Sequence, residues 1–438
     1  MYKLLYDNKF TEVDKPLPNL QHIFPTNHSE IFNHFGKGKE YISDYVQYTS
    51  DEFEDDVNYI YPIEIQGGLF KGIEIATYSD KVIKLINEGR CKIAINYSHE
   101  SFMDNNFQLE YKLNQLKNTL NQQGIDESNV LFFLGDSNLP NTRDIFKNYN
   151  FNFCYNDSIV YSAAQKAKML VKEQEQRGYI TNHQDKHSLG YKSQLVNLGE
   201  IDSKIRSKRF FSQNRNTYYT HRFMLGIFLE GRNYWDDIYA SFLSTEFPLE
   251  SHSILPSGDK DFDNLMKEHM ESFYNKAGTI EIDTQNVKDK IGWDGNYEGG
   301  KYYKKEAYID SYINIATETR FEKEVGDITF VTDKIFHGVL NYQPFMIFSN
   351  FGFLKYIKDK FGFKSFPEII NEEYDIIEDD GRRLKFLCDE IDRLHNKPIE
   401  EIHELYLSVK DKLIHNRKVF LDLADKDCWT SYFDEAFK

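Results

Sequence analysis

The chain has 438 residues, 40% of them hydrophobic and 16% aromatic, and carries a net charge of −17 from 53 Lys plus Arg against 70 Asp plus Glu. That composition supports two, or at most three, cored domains and excludes a disordered or low-complexity protein. The acidic balance argues against broad phosphate-driven nucleic-acid binding, while leaving room for a local basic cleft.

Residues 1–60 are polar and aromatic, and the acidic patch Asp51, Glu52, Glu54, Asp55, Asp56 interrupts any core pattern there. Residues 73–77 read as a strand and residues 81–88 as a short amphipathic helix. Residues 91–97 (CKIAINY) form an apolar run expected to be a buried parallel strand. Helical periodicity over residues 107–122 stops at Gly124, and residues 130–134 make the next buried strand, leading into Gly135-Asp-Ser-Asn. Strand, helix and strand at this spacing predict a βαβ unit, hence α/β architecture with a parallel sheet. Functional groups collect at the carboxyl ends of such strands, where Glu100 and Asp136 stand. Residues 165–204 read as a surface helix and linker, which puts a domain boundary near 200. The second half opens on a basic segment, residues 204–222, then an apolar helix at 223–230 and a polar stretch from 250 to 305. A second α/β pattern follows: a strand at 313–318, a helix at 334–340 and a strand at 345–348. The tail from Arg382 is helical, with periodic apolar residues over 384–394 and 402–413. No internal repeat is visible.

Four cysteines, Cys91, Cys154, Cys388 and Cys428, lie far apart without CxxC spacing. Neither a disulfide framework nor a zinc site is expected, and a reducing cytoplasm fits best. The opening MYKLLYDNKF lacks the apolar run of a signal peptide, and no stretch approaches the roughly 18 apolar residues of a membrane span. A soluble cytoplasmic protein is the expectation.

Three clusters carry candidate chemistry. In residues 313–348, a strand ends in Glu318 and Thr332-Asp-Lys opens a helix. A helix start beside a strand end offers N–H groups and a positive dipole end to a phosphate. Lys334 adds a full charge, and Glu318 and Asp333 can accept hydrogen bonds from ribose hydroxyls. The plainer reading makes Thr332 an N-cap and Asp333 a first-turn acid. The second cluster, Arg206, Lys208, Arg209, Asn214, Arg215, His221 and Arg222, is either a solvated basic face or an anion site. Arg222 opens an otherwise apolar helix and is expected to point inward, where a guanidinium suits a diphosphate. The third, Asn96-Tyr-Ser-His-Glu100, could place Glu100 as general base, with His99 as rival, or could be an ordinary polar strand end.

In this order the clusters resemble the α-1,3-fucosyltransferase-like glycosyltransferases, especially viral and bacterial relatives. The stretches that carry the likeness are Ser98-His-Glu100, Asn214 to Arg222, Thr317-Glu318-Thr, Val331-Thr-Asp-Lys334 and Gln343-Pro344-Phe345. Phe361-Gly-Phe-Lys-Ser-Phe, Glu373-Tyr-Asp and Arg382-Arg383 look like the tail of the viral relatives. The likeness covers roughly residues 90–395 and is tighter in its C-terminal half. It implies a GT-B fold of two facing Rossmann-like domains, an acceptor-side domain at 1–200 and a nucleotide-sugar-binding domain at 201–438. It further implies an inverting, metal-independent transfer of sugar from a nucleotide sugar to a hydroxyl. Glu100 would be the base, Arg222 and Lys334 the diphosphate contacts, and Glu318, Thr332 and Asp333 the remaining donor contacts. Asn214, Arg215 and His99 are weaker candidates.

There are two departures from the family pattern. Its Thr-Glu-Lys is Thr332-Asp-Lys here, and His99 stands where a glycine precedes the acid. No cofactor or metal is expected, since no DxD-type run lies in a suitable strand–loop context; Asp375, Glu378, Asp379 and Asp380 look like a solvated helix end or loop. The acceptor is a glycan or a hydroxymethylated pyrimidine in viral DNA, with residues 204–215 as a DNA-facing strip and host cytoplasm as the location. Two rivals predict no turnover: a nucleotide- or glycan-binding module on the same fold, and an interaction protein with its C-terminal helices as partner surface.

Overall fold

A computed structural model describes residues 2–6, 46–47, 53–64, 78, 80–97, 106–134, 145–155, 157–181, 192–201, 204–244, 248–278, 280, 305–322, 329–426 and 430–438. The expected strand at 73–77, the residues His99, Glu100 and Asp136, and Cys428 lie outside the described residues. The chain divides into two compact units, Met1–Ser162 with Lys426–Lys438, and Ala163–Asp425. The division therefore falls at Ser162, whereas the sequence reading put a boundary near 200.

The first unit holds a sheet in the order β2-β1-β3-β4-β5-β6, every neighbouring pair parallel. Its strands are β1 (Tyr2–Tyr6), β2 (Val46–Gln47), β3 (Asn58–Glu64), β4 (Cys91–Tyr97), β5 (Val130–Leu134) and β6 (Asn152–Tyr155). Helices α1 (Asp80–Asn87) and α2 (Asn106–Gln122) connect β3 to β4 and β4 to β5. The expected βαβ unit is present. Strands β1 and β2 fall within residues 1–60, where no core pattern was expected, and an interior strand such as β3 shows no alternation because a parallel sheet is covered on both faces. In β3, the consecutive residues Tyr59 and Ile60 are both fully buried.

Helix α3 (Ser158–Arg177) runs across the division, so the expected surface helix begins earlier and buries Val160, Ala163, Ala164 and Ala167. A short antiparallel hairpin, β7 (Ile180–Thr181) with β8 (Lys192–Ser193), follows. The second unit then builds a sheet in the order β10-β9-β11-β12, again wholly parallel. The strands are β9 (Lys208–Asn216), β10 (Ile238–Ser244), β11 (Ser311–Thr317) and β12 (Phe345–Phe348).

Helix α4 (Thr220–Arg232) joins β9 to β10 and ends at Asn233, whose left-handed backbone (φ 54°) donates its N–H to Glu230. Helix α5 (Lys260–Lys276) starts on Asp259, whose carboxylate accepts from the N–H groups of Asp261 and Phe262. It packs tightly on α4 because Gly226 has no side chain: a Cβ there would sit 2.0 Å from the Phe273 ring. After α5 come α6 (Lys305–Ile309), α7 (Lys334–Leu340) and α8 (Phe353–Phe361). The helical tail is α9 (Asp380–His395), α10 (Ile399–Ser408) and α11 (Lys410–Leu423).

The last helix, α12 (Thr430–Ala436), belongs to the first unit, where Phe433 packs with Ile60, Ala94, Leu131 and Phe133. Two parallel, helix-connected sheets in one chain, with a helical tail, are the α/β, Rossmann-like make-up expected of a GT-B fold. Among the described residues no helix is long and apolar enough to cross a membrane.

Candidate functional site

In the second sheet the chain lays down β9, then β10 on one side, then β11 and β12 on the other. The direction of winding reverses between β9 and β11, and at such a switch point the carboxyl ends of the two strands open a crevice for ligands. Asn214 stands near the end of β9, and Thr317 ends β11 with Glu318 directly after it. Arg222 lies in the first turn of α4, which follows β9, and Lys334 opens α7, which follows β11. The topology thus brings the candidates of the second half to one end of one sheet.

Glu318 is fully buried. Its Oε2 accepts a hydrogen bond from the Thr332 hydroxyl, while its Oε1 is buried with no hydrogen-bond partner among the described residues. The same Thr332 oxygen accepts from the Lys334 ammonium at 2.9 Å, and that ammonium also donates to the Thr319 hydroxyl at 3.1 Å. Burial pushes the Glu318 carboxyl above its ordinary value, against the pull of Lys334 and the Thr332 hydroxyl.

Arg222 points inward, as its position in an apolar helix implies, and is 4% exposed. Its Nη2 donates to the carbonyls of Thr317 at 3.1 Å and Glu318 at 3.3 Å. The Tyr219 ring lies 4.5 Å from the guanidinium carbon. Burial lowers this guanidinium to about 10, offset in part by Tyr219 and Glu318.

His221 makes a 2.8 Å hydrogen bond between Nε2 and the Glu318 carbonyl. Burial, reinforced by Arg222, holds its ring well below the ordinary histidine value, so it is neutral at pH 7. Phe321 packs against both the His221 ring, at 5.1 Å, and the guanidinium of buried Arg383, at 4.5 Å. Arg383 in turn donates to the carbonyls of Ser349 and Ile377. This column of side chains fixes the backbone behind Glu318.

Asn214 is committed inside the sheet: its amide donates to Ser212 and accepts from the Thr317 hydroxyl at 2.6 Å. It ties β9 to β11 directly under the crevice. Arg215 follows it in β9, and its side chain lies outside the described residues, as do His99 and Glu100 altogether.

Three expectations need correcting in detail. The N-cap of α7 is Asp333, without a side-chain capping bond, and Thr332 reaches the Lys334 N–H only at 3.5 Å. Asp333 instead lies 3.6 Å from the His337 ring, one turn on. The basic residues at the start of β9 belong to the opposite end of the sheet and are internally engaged. Arg206 is buried against Tyr406, Lys208 donates to the Asp236 carbonyl, and Arg209 pairs with Asp237 at 2.7 Å. Asp375 is not solvated either: its carboxylate is buried and accepts from the N–H groups of Leu354 and Lys355, capping α8. Asp379 caps α9, and Asp380 pairs with Arg383.

Phe321 is a site residue that sequence reasoning did not single out, while His221, Thr319 and Arg383 stood inside the quoted stretches without a role of their own. The signal for Phe321 was adjacency, three residues after Glu318.

The site can therefore do two things chemically. The unpartnered Glu318 oxygen can accept a hydrogen bond from a ligand hydroxyl, and the Lys334 and Arg222 charges can neutralise an anion. One pH effect follows. A carboxyl whose folded-state value is raised binds its proton more tightly folded than unfolded, so stability is greatest below the ordinary carboxylate value and falls as pH rises through the window up to the raised one. Glu318→Gln is expected to flatten that fall, seen as a shallower loss of melting temperature as pH rises above the ordinary carboxylate value. An unchanged slope would mean that Glu318 is ionised without strain in the folded protein.

In parallel α/β sheets such a switch point is the usual place of a ligand site. Several solved glycosyltransferase structures are similar to this chain. Trehalose-6-phosphate synthase OtsA is 11% identical over 88% of this chain and 72% of its own, with a TM-score of 0.39. The UDP-forming alpha,alpha-trehalose-phosphate synthase from Burkholderia vietnamiensis is 10% identical over 88% and 73%, with a TM-score of 0.34. The T4 phage BGT, solved with its UDP-glucose substrate, is 11% identical over 97% and 100%, with a TM-score of 0.32. At such scores the likeness bears on no residue and no activity of this chain. No family model and no curated protein matches the sequence.

Proposed function

We propose that the chain is a nucleotide-sugar-dependent glycosyltransferase of the fucosyltransferase-like kind its motifs resemble, inverting and without a bound metal. The observation that supports this most is the meeting of Glu318, Thr332, Lys334 and Arg222 at the carboxyl ends of β9 and β11. In this reading Arg222 and Lys334 face the donor diphosphate, and Glu318 and Asp333 accept hydrogen bonds from its ribose or sugar hydroxyls.

The acceptor oxygen attacks the anomeric carbon as the bond to the diphosphate breaks, and the electron pair leaves with the diphosphate. The acceptor proton passes to Glu100, and the anomeric configuration inverts. The two cations stabilise charge as it develops on the leaving group. The acceptor is a hydroxyl of a glycan or of a hydroxymethylated pyrimidine in viral DNA. The net charge of −17 favours the glycan of the two.

Melting of the protein in a panel of GDP, UDP, CMP and dTDP, free and as sugar conjugates, tests the reading. One nucleotide series is expected to raise the melting temperature, since a ligand selective for the folded state stabilises it. No rise with any of them would overturn the donor site. A rise without sugar transfer to any acceptor would leave a nucleotide-binding module on the same fold.

A further inference from the structure

The turn between β9 and α4 carries three residues, Thr217, Tyr218 and Tyr219, of unlike exposure. Thr217 is buried, whereas Tyr218 is 47% exposed, one of six large apolar side chains so exposed among the described residues. A lone exposed tyrosine is ordinary on a protein surface and by itself points to nothing. What distinguishes Tyr218 is its place. It sits in the turn after β9, at the strand end that borders the switch point.

Its ring lies 5.9 Å from that of Tyr219 at 62°, and Tyr219 in turn covers the Arg222 guanidinium at 4.5 Å. Aromatic surface and buried positive charge are thus continuous along one short stretch of chain. A nucleoside diphosphate joins the same two features, a planar ring and an anionic group.

We propose that Tyr218 is the platform on which the donor's nucleobase stacks, an inference that rests on the donor-site reading above. Stacking on a tyrosine suits any base, because every base presents a π-face. The platform therefore contributes affinity for the nucleoside half, and base selectivity comes from other groups.

The test is calorimetric titration of wild type, Tyr218→Ala and Tyr218→Phe with the nucleoside diphosphate that binds the wild type best, and with inorganic pyrophosphate. Tyr218→Ala is expected to weaken the nucleoside diphosphate by roughly tenfold or more, to leave pyrophosphate unchanged, and to be rescued by Tyr218→Phe. Because the side chain is half exposed, melting of the unliganded variants serves as the check that the fold is intact. Equal nucleotide affinity in Tyr218→Ala and wild type overturns the proposal while leaving the donor site standing. Equal weakening of nucleotide and pyrophosphate also overturns it, placing Tyr218 behind the Arg222 contact. If no nucleotide binds the wild type, the donor-site reading fails first and the platform fails with it.

Discussion

Lys334→Ala is expected to lower turnover of sugar transfer by roughly 100- to 1000-fold and to abolish the nucleotide-induced rise in melting temperature. The size follows from what a preorganised charge does. A cation already aimed at a leaving group does not need to reorganise as negative charge develops there, so its loss falls on the transition state. The Lys334 ammonium is held by the hydroxyls of Thr319 and Thr332, one of which also serves Glu318. Those hydroxyls fix its position beside Glu318. Losing two such half-buried hydrogen bonds costs on the order of 1–2 kcal/mol of stability, too little to unfold a chain of this size. Lys334→Arg keeps the charge but replaces a compact ammonium by a wide planar fork. It is expected to recover part of the nucleotide binding and little of the turnover. Steady-state kinetics of the three proteins separate these effects, and wild-type turnover in Lys334→Ala would remove Lys334 from the mechanism.

The elements that sequence reading placed well are those whose apolar pattern is local. Strand β4 over Cys91–Tyr97, helix α7 over Lys334–Leu340 and strand β12 over Phe345–Phe348 stand at the expected residues. Strand β9 was read as a basic segment because its sequence, KRFFSQNRN, is mostly polar. Its polar residues are tolerated in the core only because the sheet satisfies them: Ser212 bonds the Ile315 carbonyl, and Asn214 bonds Ser212 and Thr317. Partners a hundred residues away leave no trace in a local window.

Helix α5 was hidden for a related reason. It buries only Phe262, Met266 and Phe273, and the rest of its surface is polar. The expected single helix over 402–413 is two, α10 and α11, parted at Val409. Within the site, Glu318 and Lys334 were legible because they follow strand ends and open helices. That Arg222 donates to the backbone of that same strand end was not, since it depends on the order of the strands in the sheet.

Arg206→Ala should destabilise the second unit by about 3–5 kcal/mol while leaving nucleotide affinity of the folded protein intact. The guanidinium is 2% exposed. It donates to the Ser311 carbonyl at 2.6 Å and to the Tyr406 hydroxyl, and it lies 4.0 Å from the centre of the Tyr406 ring. Its own backbone N–H donates to the Tyr312 hydroxyl. Truncation leaves an emptied volume between two tyrosines and removes a buried donor from the Ser311 carbonyl, so cavity and desolvation costs add. Ser311 begins β11 and Glu318 follows its other end, so this network lies at the far end of the strand from the candidate site.

The opposite expectations for Arg206 and Lys334 follow from surroundings rather than residue type. One cation is enclosed by aromatic rings and carbonyls that consume its donors; the other is propped by hydroxyls beside an unpartnered carboxylate oxygen. Urea unfolding gives the stability change, and titration with the bound nucleotide at a temperature where the variant remains folded gives the affinity. A variant of full stability and lost affinity would return Arg206 to the anion site that its charge alone suggests.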